Sequence, residues 1–343
     1  MKILIKLEEY IYDIYMFIYK LYVLILIIYI LNNKNTYEKF ITNYTISNKE
    51  RIKYYMKKYY NTKHIVKISK DIQNNKTDFN NWFVYNYDEY ENNNDYYLPD
   101  LNNFIKLDES LNNIYICIFG DVSSNLNIPS ITKTRLINDN NDDNIIFKLD
   151  IDRHFGMLNN NDFNIIPWEE KINKGVWRGV DTGNNDRLKF IEKYYKIHNF
   201  GFTDLVQNLK NEKDKYKYLI KENLNYEEQL KYKYLISIEG NDVATGLKWM
   251  LYSNSVVLMK IPTKESWIME GRLIPYFHYI PLNENFDDLD DVIKWCLLND
   301  DKCKVISNNA TIYIKQFLYK KNENEIAVNI LKRINNNIIY VYE

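Results

Sequence analysis

The stretch from residue 232 to residue 259, YKYLISIEGNDVATGLKWMLYSNSVVLM, limits the possible folds more than any other part of this chain. Residues 234–238 are apolar and β-prone, and Gly240 interrupts them. Val243, Leu247, Met250 and Leu251 then recur at the spacing of one helix face. A second apolar strand at 256–259 completes a βαβ unit, and alternation of this kind predicts a parallel sheet. In open parallel sheets the ligand crevice lies outside the carboxyl ends of the strands, and a helix start there offers unpaired N–H groups suited to phosphate. The turn around Gly240 is therefore the first candidate binding position.

A chain of 343 residues with 46% hydrophobic content can build two cores. Its formal net charge of -1 argues against nucleic-acid binding, which calls for a basic face. Cys117, Cys296 and Cys303 form neither an even disulfide set nor a metal-ligand spacing, and fit a reducing compartment. The 32 tyrosines accompany many Asn, Ile and Lys and report codon bias rather than chemistry. Sequons at Asn43, Asn75 and Asn309 arise readily in such an Asn-rich chain. Residues 14–31 approach the length of a membrane span, but Lys20 interrupts them and the clean apolar run 21–31 is too short for a bilayer. They predict an N-terminal hydrophobic helix, either membrane-associated or packed on protein. Glu8, Glu9 and Asp13 before it argue against a cleaved signal peptide. The expected location is cytoplasmic, with membrane association as the open question.

Four segments follow from the patterning. Residues 1–34 hold the hydrophobic helix, and 35–167 a first α/β domain with short buried strands at 114–119 and 145–149. A second α/β domain is expected over 168–322, with a strand at 175–177, a helix at 187–197, the βαβ unit, a strand at 276–282 and a helix at 287–298. Residues 323–343 suggest a helix packing back on the first domain, which the sequence leaves undecided.

Arg178, Gly179, Thr182, Gly183 and Arg187 place two guanidinium groups, a hydroxyl and flexible backbone around one strand-to-helix turn. Planar, charge-assisted arginine contacts suit a diphosphate clamp, and a surface loop with ordinary ion pairs is the alternative. Gly240 admits close backbone approach, and Asn241 or Asp242 suits a helix cap. Lys248 would offset the acids Glu239 and Asp242 beside a phosphate. Asp121, at the end of a strand, is placed to act as a general base in an interdomain cleft, although Gly-Asp is usually just a turn. Lys133, Arg135, Arg153 and His154 would bring cations or an imidazole to that cleft, whereas His278 reads as a packed strand residue. Asp150 and Asp152 form a DxD triplet that can hold a divalent metal on a nucleotide diphosphate, with a salt bridge from Arg153 as the plainer reading.

In order and spacing, GDV with Asp121, PSITKTR, KLDIDRHF, WRG with Thr182 and Arg187, the 232–259 unit, and EGRLIPYFHYIPL with Glu270, Pro275 and His278 resemble glycosyltransferase family 90. The resemblance spans roughly residues 114–318 and is strongest to the bacterial lipopolysaccharide-modifying branch. It implies a GT-B-like α/β fold, two Rossmann-like domains facing across a cleft, with a UDP-sugar held mainly by the C-terminal one. It also implies inverting, metal-independent transfer of a hexose or pentose, from UDP-glucose or UDP-xylose, to a hydroxyl of a glycan, lipid-linked saccharide or protein, with no cofactor. By position Asp121 falls on the general base, and Arg178, Thr182 and Arg187 on the nucleotide-binding segment. The full donor-binding set expected is Arg178, Gly179, Thr182, Gly183, Arg187, Gly240, Asn241, Asp242, Lys248 and Glu270. One departure is Gly246, where the animal enzymes carry an arginine. Two other readings stay open: a metal-dependent GT-A transferase using Asp150 and Asp152, and a non-catalytic sugar-nucleotide or glycan-binding protein.

Overall fold

The computed structural model describes residues 45–68, 82–86, 97–111, 113–121, 128–137, 143–159 and 166–342. The apolar segment 14–31 and the sequons at Asn43 and Asn75 lie outside the described residues, while Asn309 is buried within a helix. Among the described residues no helix is long and apolar enough to cross a membrane. The three cysteines are free and buried. Every element below belongs to one compact unit, Ser47–Glu343.

The first sheet runs in the order β2-β3-β4-β6, from Trp82–Asn86 (β2), Ile114–Ile118 (β3), Ser130–Thr132 (β4) and Asn144–Ile146 (β6). β2 is antiparallel to β3, and the rest are parallel. The second sheet is parallel throughout and contains Ile172–Val180 (β7), Asn199–Asp204 (β8), Tyr232–Ser237 (β9), Val256–Met259 (β10) and Ile280–Pro281 (β12). Its order is β12-β10-β9-β7-β8. From β7 the chain passes through helix Asp186–Tyr194 to β8 on one side, and then returns to place β9 on the other. The order thus reverses between β7 and β9, and a doubly wound sheet binds its ligands at such a switch point. The residues just beyond those two strands are 181–187 and 238–246, the segments that carry most of the predicted donor set.

β9 from Tyr234 onward and all of β10 are buried, as expected for central parallel strands covered on both faces. Two features join the sheets. Arg135–Leu136 (β5) pairs antiparallel with Lys264–Glu265 (β11), and the Arg135 guanidinium donates to Glu265 at 2.7 Å and to the carbonyls of Tyr54 and Tyr55 at 2.7 and 2.8 Å. Helix Lys320–Asn337 buries Ile326, Ile330, Leu331 and Ile334 and packs against helices Asn48–Met56 and Leu98–Ile105. Its Glu323 pairs with Arg51 at 2.6 Å and Lys148 at 3.3 Å, and accepts from the Trp267 indole N–H. The Arg51 and Glu323 side chains are each 2% exposed, so removing the carboxylate strands two buried cations. Glu323→Ala is expected to cost roughly 3–5 kcal/mol, read as a lower guanidinium midpoint in chemical unfolding.

Several expected elements shift. The strand expected at 276–282 is reduced to Ile280–Pro281, because Tyr276 takes a positive φ of 59° and its N–H donates to the Tyr279 carbonyl in a turn. His278 lies in that turn, not in a strand; it is buried, and its Nδ1 accepts the Ile274 N–H at 2.9 Å. The strand expected at 145–149 is Asn144–Ile146; Phe147 and Leu149 stay buried after the chain leaves the sheet. The final helix ends at Asn337, and β-branched residues beyond it form Ile338–Tyr342 (β13), parallel to His64–Ile68 (β1). The helix expected from Val243 starts only at Leu247.

Candidate active site

A cavity of about 320 Å³ opens where the carboxyl ends of β7 and β9 meet the end of β3. Asp121 and Arg153 reach it from the first sheet's side, and Trp177, Thr182, Arg187 and the turn 240–246 from the second. Asp121 and the arginine-bearing turn therefore share one cavity. Gly120, at φ +90°, makes the bend that ends β3 and sets Asp121 at its rim. Gly183, at φ +87°, packs so tightly on the other turn that an added Cβ would lie 2.6 Å from the Gly240 carbonyl. The two turns thus touch backbone to backbone.

Arg187 is the cation at the centre of this turn. Its guanidinium donates to the Val180 carbonyl at 2.9 Å, Thr182 Oγ1 at 2.6 Å and the Ile238 carbonyl at 3.0 Å, so it stitches the ends of β7 and β9 together. Its Nε is buried without a hydrogen-bond partner, and among the described residues no carboxylate forms an ion pair with it. Burial pulls its pKa down to about 10, with Asp181 and Asp242 pulling the other way, so it stays charged at neutral pH. A desolvated cation held by neutral carbonyls is short of negative charge, which is the condition for holding an anion.

Arg178 contributes to the cavity wall but not to a clamp. It points to the opposite side of β7 from Trp177, and its guanidinium donates to the carbonyls of Glu222, Trp177 and Asn199 and to Asn199 Oδ1 at 2.8–2.9 Å. Gly179 lies under the Trp177 indole, where an added Cβ would approach the ring to 2.7 Å. Lys248 is fully buried, 3.3 Å from Glu270, which also accepts the Ser266 hydroxyl at 2.7 Å. Both donor-site candidates are therefore satisfied within the protein. Arg135, expected at the cleft, is instead buried in the bracket between the sheets. Glu239 turns away and accepts the N–H groups of Thr263 and Lys264 at 2.8 and 3.2 Å.

His154 is buried, with Nε2 lacking a hydrogen-bond partner and lying 3.8 Å from Asp150. Burial holds its pKa well below the usual imidazole value, and Lys248, Lys133 and Arg153 push the same way, so it is neutral at pH 7. Arg153, by contrast, is mostly exposed in the cavity wall. Asp150 faces Arg153 at 3.7 Å as well as His154, and among the described residues no group of three or more His, Cys, Asp or Glu could hold a metal.

Asp121 accepts from Lys133 at 3.2 Å and Asn241 at 3.0 Å, and Asp242 pairs with Lys133 at 2.9 Å. Partial burial raises the Asp121 carboxyl, but Lys133 and Asn241 outweigh it and hold the pKa below the ordinary carboxylate value. Sequence reasoning missed two members of this neighbourhood. Asp181 accepts the N–H groups of Val206, Gln207 and Leu209 and so shapes the loop after β8. That loop delivers Gln207, whose side-chain amide pairs with that of Asn241 at 3.1 Å. Asp181 sits inside the WRGV-DTG run and was open to notice, whereas nothing local marks Gln207.

A switch-point parallel sheet whose anion-ready turn faces a held, ionised carboxylate defines an α/β protein with a ligand cleft suited to group transfer. Residues 155–335 match the model for Glycosyl transferase family 90, and the chain belongs to that family. It is similar to the O-glucosyltransferase LpsA of Dichelobacter nodosus, 34% identical over 215 residues that cover 63% of this chain and 64% of that protein. Protein O-glucosyltransferase 2 of Danio rerio is 32% identical over 146 residues, 41% of this chain and 28% of the relative. Uncharacterized protein 179R of Invertebrate iridescent virus 6 is 34% identical over 128 residues, 34% of this chain and 11% of the relative. The chain thus spans less than two thirds of each of these relatives. Asp121 and Lys133 precede the stretch matched by the family model.

Proposed function

We propose that this protein is an inverting, metal-independent glycosyltransferase of GT-B-like arrangement that moves a sugar from a UDP-sugar, UDP-glucose or UDP-xylose, to a hydroxyl of a glycan, lipid-linked saccharide or protein. The observation that carries the reading is the pairing of a buried arginine without a carboxylate partner and an ionised aspartate on one cavity. The diphosphate of the donor lies against Arg187, Thr182 and the backbone of the 240–246 turn. Asp121 takes the proton of the acceptor hydroxyl as that oxygen attacks the anomeric carbon on the face opposite the leaving diphosphate, which inverts the centre. Arg187 stabilises the charge that develops on the departing group. A positioned general base contributes about 10²–10⁴-fold, and preorganised charge at the leaving group a further share.

One observation favours a binding-only alternative: with Arg178 and Lys248 committed elsewhere and Gly246 in place of an arginine, Arg187 is the principal donor-side cation. UDP release by the purified protein across a panel of UDP-sugars separates the two. The proposal expects release with UDP-glucose or UDP-xylose that is unchanged by EDTA. No turnover with any donor supports the binding protein, and loss of turnover on chelation supports a metal-dependent mechanism.

A further inference from the structure

Both oxygens of the Asp121 carboxylate are occupied, each by a group from a different part of the chain. Lys133 Nζ lies 3.2 Å from Oδ1, and Asn241 Nδ2 donates to Oδ2 at 3.0 Å. Neither donor is free to follow the carboxylate if it turns. The Lys133 side chain is 3% exposed and is anchored 2.9 Å from Asp242, which also accepts from Thr134 Oγ1 at 3.4 Å. Asn241 Oδ1 accepts the Gly183 N–H at 2.8 Å, and its amide is paired with Gln207. Gln207 is fixed in turn by the Asp181 cradle.

An Asp carboxylate at a strand end ordinarily turns about a broad torsion, and two donors on different oxygens remove that freedom. We propose that Lys133 and Asn241 are positioning residues that lock the plane of the Asp121 carboxylate, leaving a lone pair on the cavity side free to meet the acceptor hydroxyl. This inference rests on the reading of Asp121 as the base. Asp242 has a distinct part: it anchors Lys133 at 2.9 Å, and its side chain also lies within hydrogen-bonding reach of Asp121. Asp242 therefore acts here by holding Lys133.

The charged and titratable groups facing Asp121 are Lys133 from the segment after β4, Asp242 from the turn after β9, the Tyr97 phenol, and Arg153 across the cavity. Burial raises the Asp242 carboxyl against the pull of Lys133, while Asp121 goes the other way, so the two acids under one ammonium are unequal.

The test reads Asp121 itself. In protein carrying ¹³C-labelled aspartate, the Asp121 carboxyl resonance is assigned by its loss in D121N and titrated in the wild type, Lys133→Met and Asn241→Ala. Loss of an opposite charge at this distance raises a carboxyl pKa by about one unit or more, so the K133M midpoint should move up by that amount. N241A, which lacks a hydrogen bond and no charge, should move it up by less. UDP release from UDP-glucose at pH 7 should fall at least about tenfold in K133M while the affinity for UDP is kept, and K133R should recover part of the loss. Unchanged Asp121 midpoints in both variants would overturn the clamp. If K133M does not fold, N241A, whose side chain lies at the partly exposed rim, decides alone. D121N that still releases UDP at the wild-type rate would remove the base assignment, a failure separate from that of the clamp.

Discussion

Asp121→Asn should lower sugar transfer by about 10²–10⁴-fold while leaving UDP affinity within a factor of a few. The substitution keeps the size and planarity of the side chain but removes its capacity to take a proton. Among the described residues Asp121 reaches the surface assigned to the diphosphate only through the Asn241 side-chain amide, whose hydrogen bond the oxygen of the substituted amide can still accept, so Arg187 and Thr182 keep their contacts. The measurement is UDP release for the rate and calorimetry with UDP for the affinity. Retained transfer would show that the carboxylate is no more than the cap of a hydrogen-bond chain, and a parallel loss of UDP binding would mean that it supports the donor site instead.

Arg187→Ala should weaken UDP binding by roughly 10- to 100-fold, the effect of losing hydrogen bonds from a cation to a charged group, each in the range of about 1.5–3 kcal/mol. Of the two expected clamp arginines, Arg187 is the one with a buried nitrogen still unpartnered, its Nε, whereas the Arg178 guanidinium is taken up by carbonyls and the Asn199 side chain. Arg187→Lys should not restore the affinity, because an ammonium cannot bridge the Val180 and Ile238 carbonyls while also facing a diphosphate. Arg178→Ala supplies the contrast. Its guanidinium serves Asn199, Trp177 and Glu222, so UDP affinity should stay near the wild-type value while the β7–β8 region loses stability. Equal losses of UDP binding in both arginine variants would restore the two-arginine clamp and refute the division of labour drawn from the structure.

Much of the second sheet was legible in the chain. The βαβ unit at 232–259 emerged with both strands in place, because central parallel strands are apolar throughout and a breaker at Gly240 separates them from an amphipathic stretch. The strand 276–282 was not legible, since Phe277 and Tyr279 are buried by a turn whose apolar pattern equals that of a short strand. The candidate site divides in the same way. Asp121, Thr182, Gly183 and Arg187 line or support one cavity, as their positions after strands implied. Lys248 and Glu270 have the right chemistry for a donor site and Arg135 for the cleft, yet each meets a buried partner contributed by another segment.

Residue order alone determined that this is an α/β chain with parallel sheets, where its candidate binding turns fall, and which family it joins, because periodicity, breakers and motif spacing are local properties written along one strand of covalent bonds. Only the tertiary structure decided which charges are available. Whether a lysine or arginine faces an empty cavity or a carboxylate depends on which distant segments the fold brings beside it, such as Glu265 for Arg135 and Glu270 for Lys248, and burial makes that choice of partner decisive.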